Sequence, residues 1–406
     1  MIDRSDHLSR SAPPPIDPRV NDIRQGWSLR DLWHHSIPRR WIRMLALLGL
    51  FGLFSVVLSG SLQQNQDADV AHDEVTGFPP TRQTQQKTHD PTIIRVGDEY
   101  YLYNVGEHML IHTAPSMAGP WKHIGKVLDA NSVIPKGDRA APWAPTVIVV
   151  DGTYYCYYSV SKAGCRDSAI GVATSDSPGP GGWHDHGAII QTGTGKGSDV
   201  EPYTISNAID PSTLITPDGQ AYLTYGSYWQ GIYQIPLAED LISPMSTTEP
   251  DARHLAWEPK SMALPNRLAN TICGDPTGPH AIEGAFISYH DGWYYLWYSH
   301  GFCCNLNEKN LPPPGSEYSI RVGRSKSARG PFVDKSGKDL VEGGGEIVYG
   351  SNGETYAPGG QGVLRDGDND VLYYHYLNKT VGIAFSDAYL GFNPLKYVNG
   401  WPVAQA

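Results

Sequence analysis

An all-β fold, a five-bladed β-propeller, is the architecture this sequence predicts, and three observations predict it. Aromatic and turn residues dominate: 24 Tyr and 11 Trp stand beside 44 Gly and 32 Pro among 406 residues, which favours strands joined by many turns. One pattern recurs five times: "DPTIIRVGDEYYLYN" from Asp90, "APTVIVVDGTYYCYYS" from Ala144, "DPSTLITPDGQAYLTYGS" from Asp210, "EGAFISYHDGWYYLWYS" from Glu283 and "APGGQGVLRDGDNDVLYYHY" from Ala357. Each copy has a small or acidic residue, then Pro or Gly, an apolar strand, a turn with Gly or Asp, and an aromatic strand. Several copies run on into a further strand and turn, as in "LIHTAPSMAGPW", "IGVATSDSPGPGGW" and "IRVGRSKSARGPF". Three or four strands per unit in five units is the signature of propeller blades. A β-sandwich would not require the same opening five times.

The elements before the repeats differ in composition. Residues 1–43 are Pro-rich, hold eight Arg and five Asp without periodicity, and read as a mostly disordered cytoplasmic tail. Met44–Leu62, "MLALLGLFGLFSVVLSGSL", is a run of nineteen uncharged residues, just long enough to span a bilayer as a transmembrane helix. Arg39, Arg40 and Arg43 precede it and predict a single-pass type II signal-anchor with the cytoplasm on that side. Secretion after signal cleavage is the alternative, although the 43-residue lead is long for a signal peptide. Both readings deliver the rest of the chain outside the cytosol. Residues 63–87 are polar and suit an extended stalk; the compact domain is predicted over residues 88–406.

Hydrophobic residues make up 40% of the chain, enough for a substantial core, and the net charge of −11 argues against nucleic acid as a partner. Five Cys leave at least one unpaired, in spacings that match no zinc pattern. Adjacent Cys303 and Cys304 leave the pairing open, each able to reach a different partner. "NKT" at Asn378 is a glycosylation sequon for a chain outside the cytosol.

In a propeller the first strand of each blade lines the central channel, so equivalent positions converge on one axis. The repeat opens with Asp90, Ala144, Asp210, Glu283 and Ala357: three carboxylates and two methyl groups. A single Asp-Pro is ordinarily a turn starter. Three acids at one phase instead bring like charges together, which costs stability unless it serves chemistry. Carboxyls paired across a pocket are the equipment of glycoside hydrolysis: one ionised to activate water or attack, one protonated to donate to the leaving oxygen.

"HDPTI" from His89, "IDPSTL" at Ile209–Leu214 and "IEGAF" at Ile282–Phe286 resemble the three acid motifs of glycoside hydrolase family 43. "WAPTV" at Trp143, "YGSYWQGIYQIPL" at Tyr225, "IRVGRS" at Ile320 and "APGGQGV" at Ala357 are similar to its endo-1,5-α-L-arabinanases. The resemblance covers about Thr88 to the C-terminus. It implies an inverting hydrolase of internal α-1,5-arabinofuranosyl linkages in arabinan, acting as a monomer. Asp90 would be the general base, Glu283 the general acid, and Asp210 the group that orients Glu283 and raises its pKa. An exo-acting α-L-arabinofuranosidase or β-xylosidase is the alternative within the family, and a non-catalytic glycan-binding propeller the alternative outside it.

The chemistry so implied requires no cofactor. Many relatives hold a metal or water cluster at the channel floor through a His where this chain has Gly360, so a structural calcium or sodium ion there depends on another ligand. His375, in phase with Tyr158, Tyr225 and Tyr298, is the candidate, with a hydrogen-bonded core His as the competing reading. For substrate, Trp143 is a stacking candidate through its phase in the repeat, and Tyr228 and Trp229 are others; core packing is the competing role for each. Ser227 and Asn207 are candidates to hydrogen-bond sugar hydroxyls, Asn207 equally to hold a turn. His89 supports Asp90, lines the subsite, or opens the strand.

Overall fold

The computed structural model of the chain describes residues 77–261, 272–304, 306, 308–309 and 311–406. The expected tail, the span Met44–Leu62 and the stalk up to residue 76 lie outside the described residues. Among the described residues no helix is long and apolar enough to cross a membrane.

Alternating apolar and turn sequence folds into five antiparallel sheets. Blade one is β2 (Thr92–Val96), β3 (Glu99–Asn104), β4 (Leu110–Ala114) and β5 (Lys122–Lys126), following the closing strand β1 (Arg82–Lys87). Blade two is β6 (Trp143–Val150), β7 (Thr153–Val160), β8 (Ala169–Ser175) and β9 (His184–Gln191). Blade three is β10 (Ser212–Ile215), β11 (Ala221–Tyr225), β12 (Ile232–Pro236) and β13 (Arg253–Ala256). Blade four is β14 (Ile282–His290), β15 (Trp293–His300), β16 (Ser319–Ser325) and β17 (Glu346–Tyr349). Blade five is β18 (Thr355–Asp366), β19 (Asn369–Asn378) and β20 (Tyr389–Val398), with β21 (Trp401–Ala404) as an extension of β20.

The core is not one mass but a set of seams, one between each pair of neighbouring blades. Tyr103 and Ile111 of blade one pack with Val147 and Tyr158 of blade two, and Tyr157 and Ile170 with Leu223 and Tyr225 of blade three. Ile232 and Leu255 meet Ile287 and Leu296, and Trp297 and Ile320 meet Leu372 and Tyr374. Ile93 and Leu102 meet Val371, Tyr373 and Leu390, which closes the circle. The large aromatic side chains of the repeat fill the wedges that a ring of radiating sheets leaves open.

The ring is fastened by β1, which pairs antiparallel with β20. This corrects the expected domain start: Arg82–Lys87, assigned to the stalk, is the outer strand of blade five. "RQTQQK" reads as linker because an outermost strand buries little; of its six residues only Thr84 is buried. Phe78, before it, packs on Tyr349 with ring centroids 5.6 Å apart, and the Thr81 hydroxyl is 2.6 Å from that of Thr355.

Two cysteine pairs are bonded, Cys165 to Cys273 and Cys303 to Cys304, and Cys156 is free and buried. Cys303 and Cys304 therefore take each other, not two separate partners. Asn378 of the sequon is buried, and its amide donates to Glu354 over 3.3 Å.

Candidate active site

The five inner strands open with the same backbone device. Asp90, Ala144, Asp210 and Ala357 have φ of 47°, 43°, 54° and 50°, and Gly284 has 63°. Left-handed backbone is unfavourable for residues with a Cβ and is met mostly at functional or tightly determined positions. It accompanies a bulge: between Trp143 and Thr146, and between Glu283 and Phe286, the register with the next strand shifts. Asp90, Ala144, Asp210 and Gly284 at the openings of four blades, and Gly360 just beyond the opening of blade five, ring a narrow channel of about 40 Å³.

That register corrects the sequence phase in blade four. Trp143 faces Ser159 and Glu283 faces Ser299, while the carbonyls of His89 and Ile209 accept from Val105 and Gly226. Glu283 therefore matches His89, Trp143 and Ile209, and Gly284 matches Asp90 and Asp210. Two acids share a phase and the third stands one residue earlier. Glycine takes the left-handed position at least cost, so "EG" slips by one against "DP". The slip has a use: the Gly284 N–H donates to Asp210 Oδ2 over 3.1 Å. His375 is displaced in the same way. It faces Gly359 while Tyr356 faces Leu377, so Tyr376, not His375, shares the phase of Tyr158, Tyr225 and Tyr298.

The three carboxyls line one cavity of about 330 Å³, with His89, Trp143, Tyr318 and Phe385 among its walls. Their surroundings push their pKa values apart. Burial pushes Asp90 up, but His89 and His375 beside it outweigh burial and hold it well below the usual carboxylate range. His89 Nδ1 is 3.2 Å from Asp90 Oδ2, and His375 Nδ1 is 3.4 Å from Oδ1. Burial raises Glu283; hydrogen bonds from Ser227 and Tyr318 offset part of this, and the Asp90 charge adds to it. Ser227 Oγ donates to Glu283 Oε2 over 2.6 Å, and the Tyr318 hydroxyl donates to Oε1. Asp210 is pushed well up by burial, then by the charges of Glu283 and Asp90. Asp210 and Glu283 are close enough that the charge on either one raises the other, and the Asp90 charge acts on both.

The predicted substrate residues fall into two groups. Trp143 lines both this cavity and a neighbouring one of about 390 Å³ that also takes in Asn207, Ser227, Tyr228, Trp229 and Glu283. Trp229 Nε1 is buried without a hydrogen-bond partner among the described residues. Asn207 is buried and its Oδ1 accepts from Ser168 over 2.7 Å; Ser227 is committed to Glu283. His89 is clamped between Phe385 and His375, at centroid distances of 3.8 and 3.9 Å. Sequence reasoning missed Tyr318, Phe385, Cys303 and Cys304. Tyr318, Cys303 and Cys304 lie in the connection between β15 and β16 and Phe385 opens a short 3-10 turn before β20, all outside the repeated opening, where no phase points to them.

His89, Asp90 and His375 bring three metal-ligating atoms within 4.8 Å of one another. Calcium and sodium take oxygen ligands, whereas this set offers two imidazoles and one carboxylate. His375 is fully embedded, and its Nδ1 accepts the Asp90 backbone N–H over 3.2 Å; burial first, then His89, lowers its pKa to about 4. The side chains present do not fit a hard cation, and His375 acts as a buried hydrogen-bond partner of the residue that carries Asp90.

The sequence profile of glycosyl hydrolases family 43 matches residues 83–402. The chain is 55% identical to a probable arabinan endo-1,5-α-L-arabinosidase B of Aspergillus flavus over 362 residues, 89% of this chain and 99% of that protein. It is 56% identical to the arabinan endo-1,5-α-L-arabinosidase B of Emericella nidulans over 343 residues, 81% of this chain and 86% of that one. Among solved structures, Cellvibrio cellulosa α-L-arabinanase complexed with arabinohexaose is similar at a TM-score of 0.66 and 26% identity, covering 79% of this chain and 96% of that one.

Proposed function

The chain belongs to glycosyl hydrolase family 43, and on that footing we propose that it cleaves internal α-1,5-L-arabinofuranosyl linkages of arabinan with inversion of configuration. The observation that carries this reading is the pair Asp90 and Glu283 on one cavity with their pKa values pushed in opposite directions, the condition for one base and one acid at a single pH. Asp90, ionised, takes a proton from water as that water attacks the anomeric carbon. Glu283, protonated, gives its proton to the departing sugar oxygen. The Ser227 and Tyr318 hydrogen bonds fix the Glu283 carboxyl in place, and the Gly284 N–H fixes Asp210 beside it. Turnover leaves Asp90 protonated and Glu283 ionised, and exchange with solvent restores both. Every proton moves between groups of this one chain and water, so no cofactor is called for, and a monomer suffices.

Trp143 and Trp229 are proposed to meet the sugars, Trp143 by its ring face and Trp229 by its unpartnered N–H. Two disulfides suit an oxidising compartment and support action outside the cytosol, with Met44–Leu62 proposed as the segment that delivers the domain there. Digestion of linear arabinan tests the reading: a ladder of oligosaccharides is expected early, with the first-formed reducing ends of inverted configuration by proton NMR. Release of single sugars from the outset would make the action exo, and no release at all would overturn it.

A further inference from the structure

Within the proposed arabinanase reading, on which it rests, we infer that the Cys303–Cys304 disulfide is a sugar-contacting surface that binds the residue on the leaving-group side of the scissile bond. A bridge between sequence neighbours spans a separation of one and closes no long loop, so it removes almost no freedom from the unfolded chain. Its effect is therefore local to the surface it forms. Both cysteines are only half-buried, and both border the two cavities that meet at Glu283.

Those cavities differ in their chemistry. The first holds Asp90, Asp210 and Glu283; the second holds Glu283 without either aspartate. The acid touches the leaving oxygen while the base works on the opposite side of the anomeric carbon. The cavity that contains the acid alone is therefore the one that receives the leaving-group sugar. Bonding the two sulfurs replaces two rotatable, weakly donating thiols by a fixed, polarizable, apolar face. Such a face suits the C–H side of a furanose and loses little entropy when the sugar lands on it.

The surface is also held in register with the acid. Phe302, just before it, donates its N–H to Ser316 O and accepts from Tyr318 N, at 2.9 and 3.1 Å. Tyr318 is the residue whose hydroxyl bonds Glu283. Gly301 has φ of +107°, and a Cβ there would stand 2.4 Å from Glu317 O, so the backbone enters this anchor at a distance no other residue allows.

The test compares C303A/C304A with wild type on two substrates: arabino-oligosaccharides, and an arabino-oligosaccharyl fluoride whose single-atom leaving group does not reach the disulfide face. The expected result is a KM for oligosaccharides raised about tenfold, kcat within about twofold, an unshifted pH profile, and an unchanged KM for the fluoride. Unchanged KM on both substrates overturns the inference. So does a fall in kcat with a displaced pH limb, which would mean that the bridge acts through Tyr318 and Glu283. If the double variant misfolds, the second arm is phosphine reduction and alkylation of folded wild type. Mass spectrometry would select molecules opened only at 303–304, and the same KM comparison decides. Wild type that fails to cleave linear arabinan sinks the functional reading itself, whatever the variants do.

Discussion

Asp90 and Glu283 differ by one atom of chain length and little else until the fold surrounds them. Burial acts on both, but only Asp90 has imidazoles at 3.2 and 3.4 Å, and only Glu283 is held by two hydroxyls. Glu283→Gln and Asp90→Asn should each cut kcat on arabinan about 10²–10⁴-fold, the usual worth of a general acid or base. Steady-state kinetics on two substrates separates them: an aryl arabinofuranoside with a good leaving group should partly rescue Glu283→Gln and leave Asp90→Asn inactive. Asp210→Asn carries two expectations. It removes one member of a coupled carboxyl set, so the alkaline limb of kcat/KM should move to lower pH. It should also stabilise the protein. A carboxyl whose folded pKa is raised binds its proton more tightly when folded, so stability is lost as pH climbs from the unfolded value, about 4, through the folded one. The gain in melting temperature for Asp210→Asn should therefore be absent below about pH 4 and appear above it. A gain that is constant with pH would contradict the assignment.

At the scale of the strand, the bulged opening does the positioning. Four blades hold a residue with a Cβ in left-handed backbone and blade four holds Gly284. That exchange moves the Glu283 carboxyl one residue back from the phase of Asp90 and Asp210. Gly284→Ala should cost about 1–2 kcal/mol, the strain of a left-handed residue with a Cβ, read from the denaturant midpoint; the added Cβ would also lie 3.2 Å from Ser299 Oγ. The closing strand gives a second expectation. Because β1 supplies the outer edge of blade five, a chain beginning at Thr88 should lose several kcal/mol against one beginning at Gly77. Equal denaturant midpoints for the two would show that the ring closes without β1.

For the whole molecule, the two bridges contribute on different scales. Cys165–Cys273 closes a separation of 108 residues between the loop after β7 and the one before β14, worth about 4–5 kcal/mol in the chain-entropy account. C165A/C273A should lower the unfolding midpoint strongly and C303A/C304A hardly at all, a contrast that calorimetry reads directly. Delivery is testable at the same scale: if Met44–Leu62 anchors the chain, carbonate extraction should leave it in the membrane pellet. A freed domain with a new N-terminus shortly after that segment would show cleavage.

The sequence by itself determined the architecture and the chemistry. Five copies of one strand pattern can bury their aromatic faces only against each other, and acids at the openings of three copies must then meet at the axis. It did not determine phase. Slipping one residue between Asp90 and Glu283 leaves the pattern of apolar residues almost unchanged, yet it decides which wall of the cleft a carboxyl stands on. Nor did it reveal β1, since an edge strand with one buried residue looks like linker. Tyr318, Phe385 and the 303–304 bridge are set by where loops of different blades come to rest. The ionisation order of the three acids depends on distances between groups that are mostly far apart in the chain, from 35 residues for Tyr318 and Glu283 to 285 for Asp90 and His375. Those were tertiary decisions, because local sequence fixes backbone pattern while pKa and cleft shape are set by whatever the fold brings within a few ångströms.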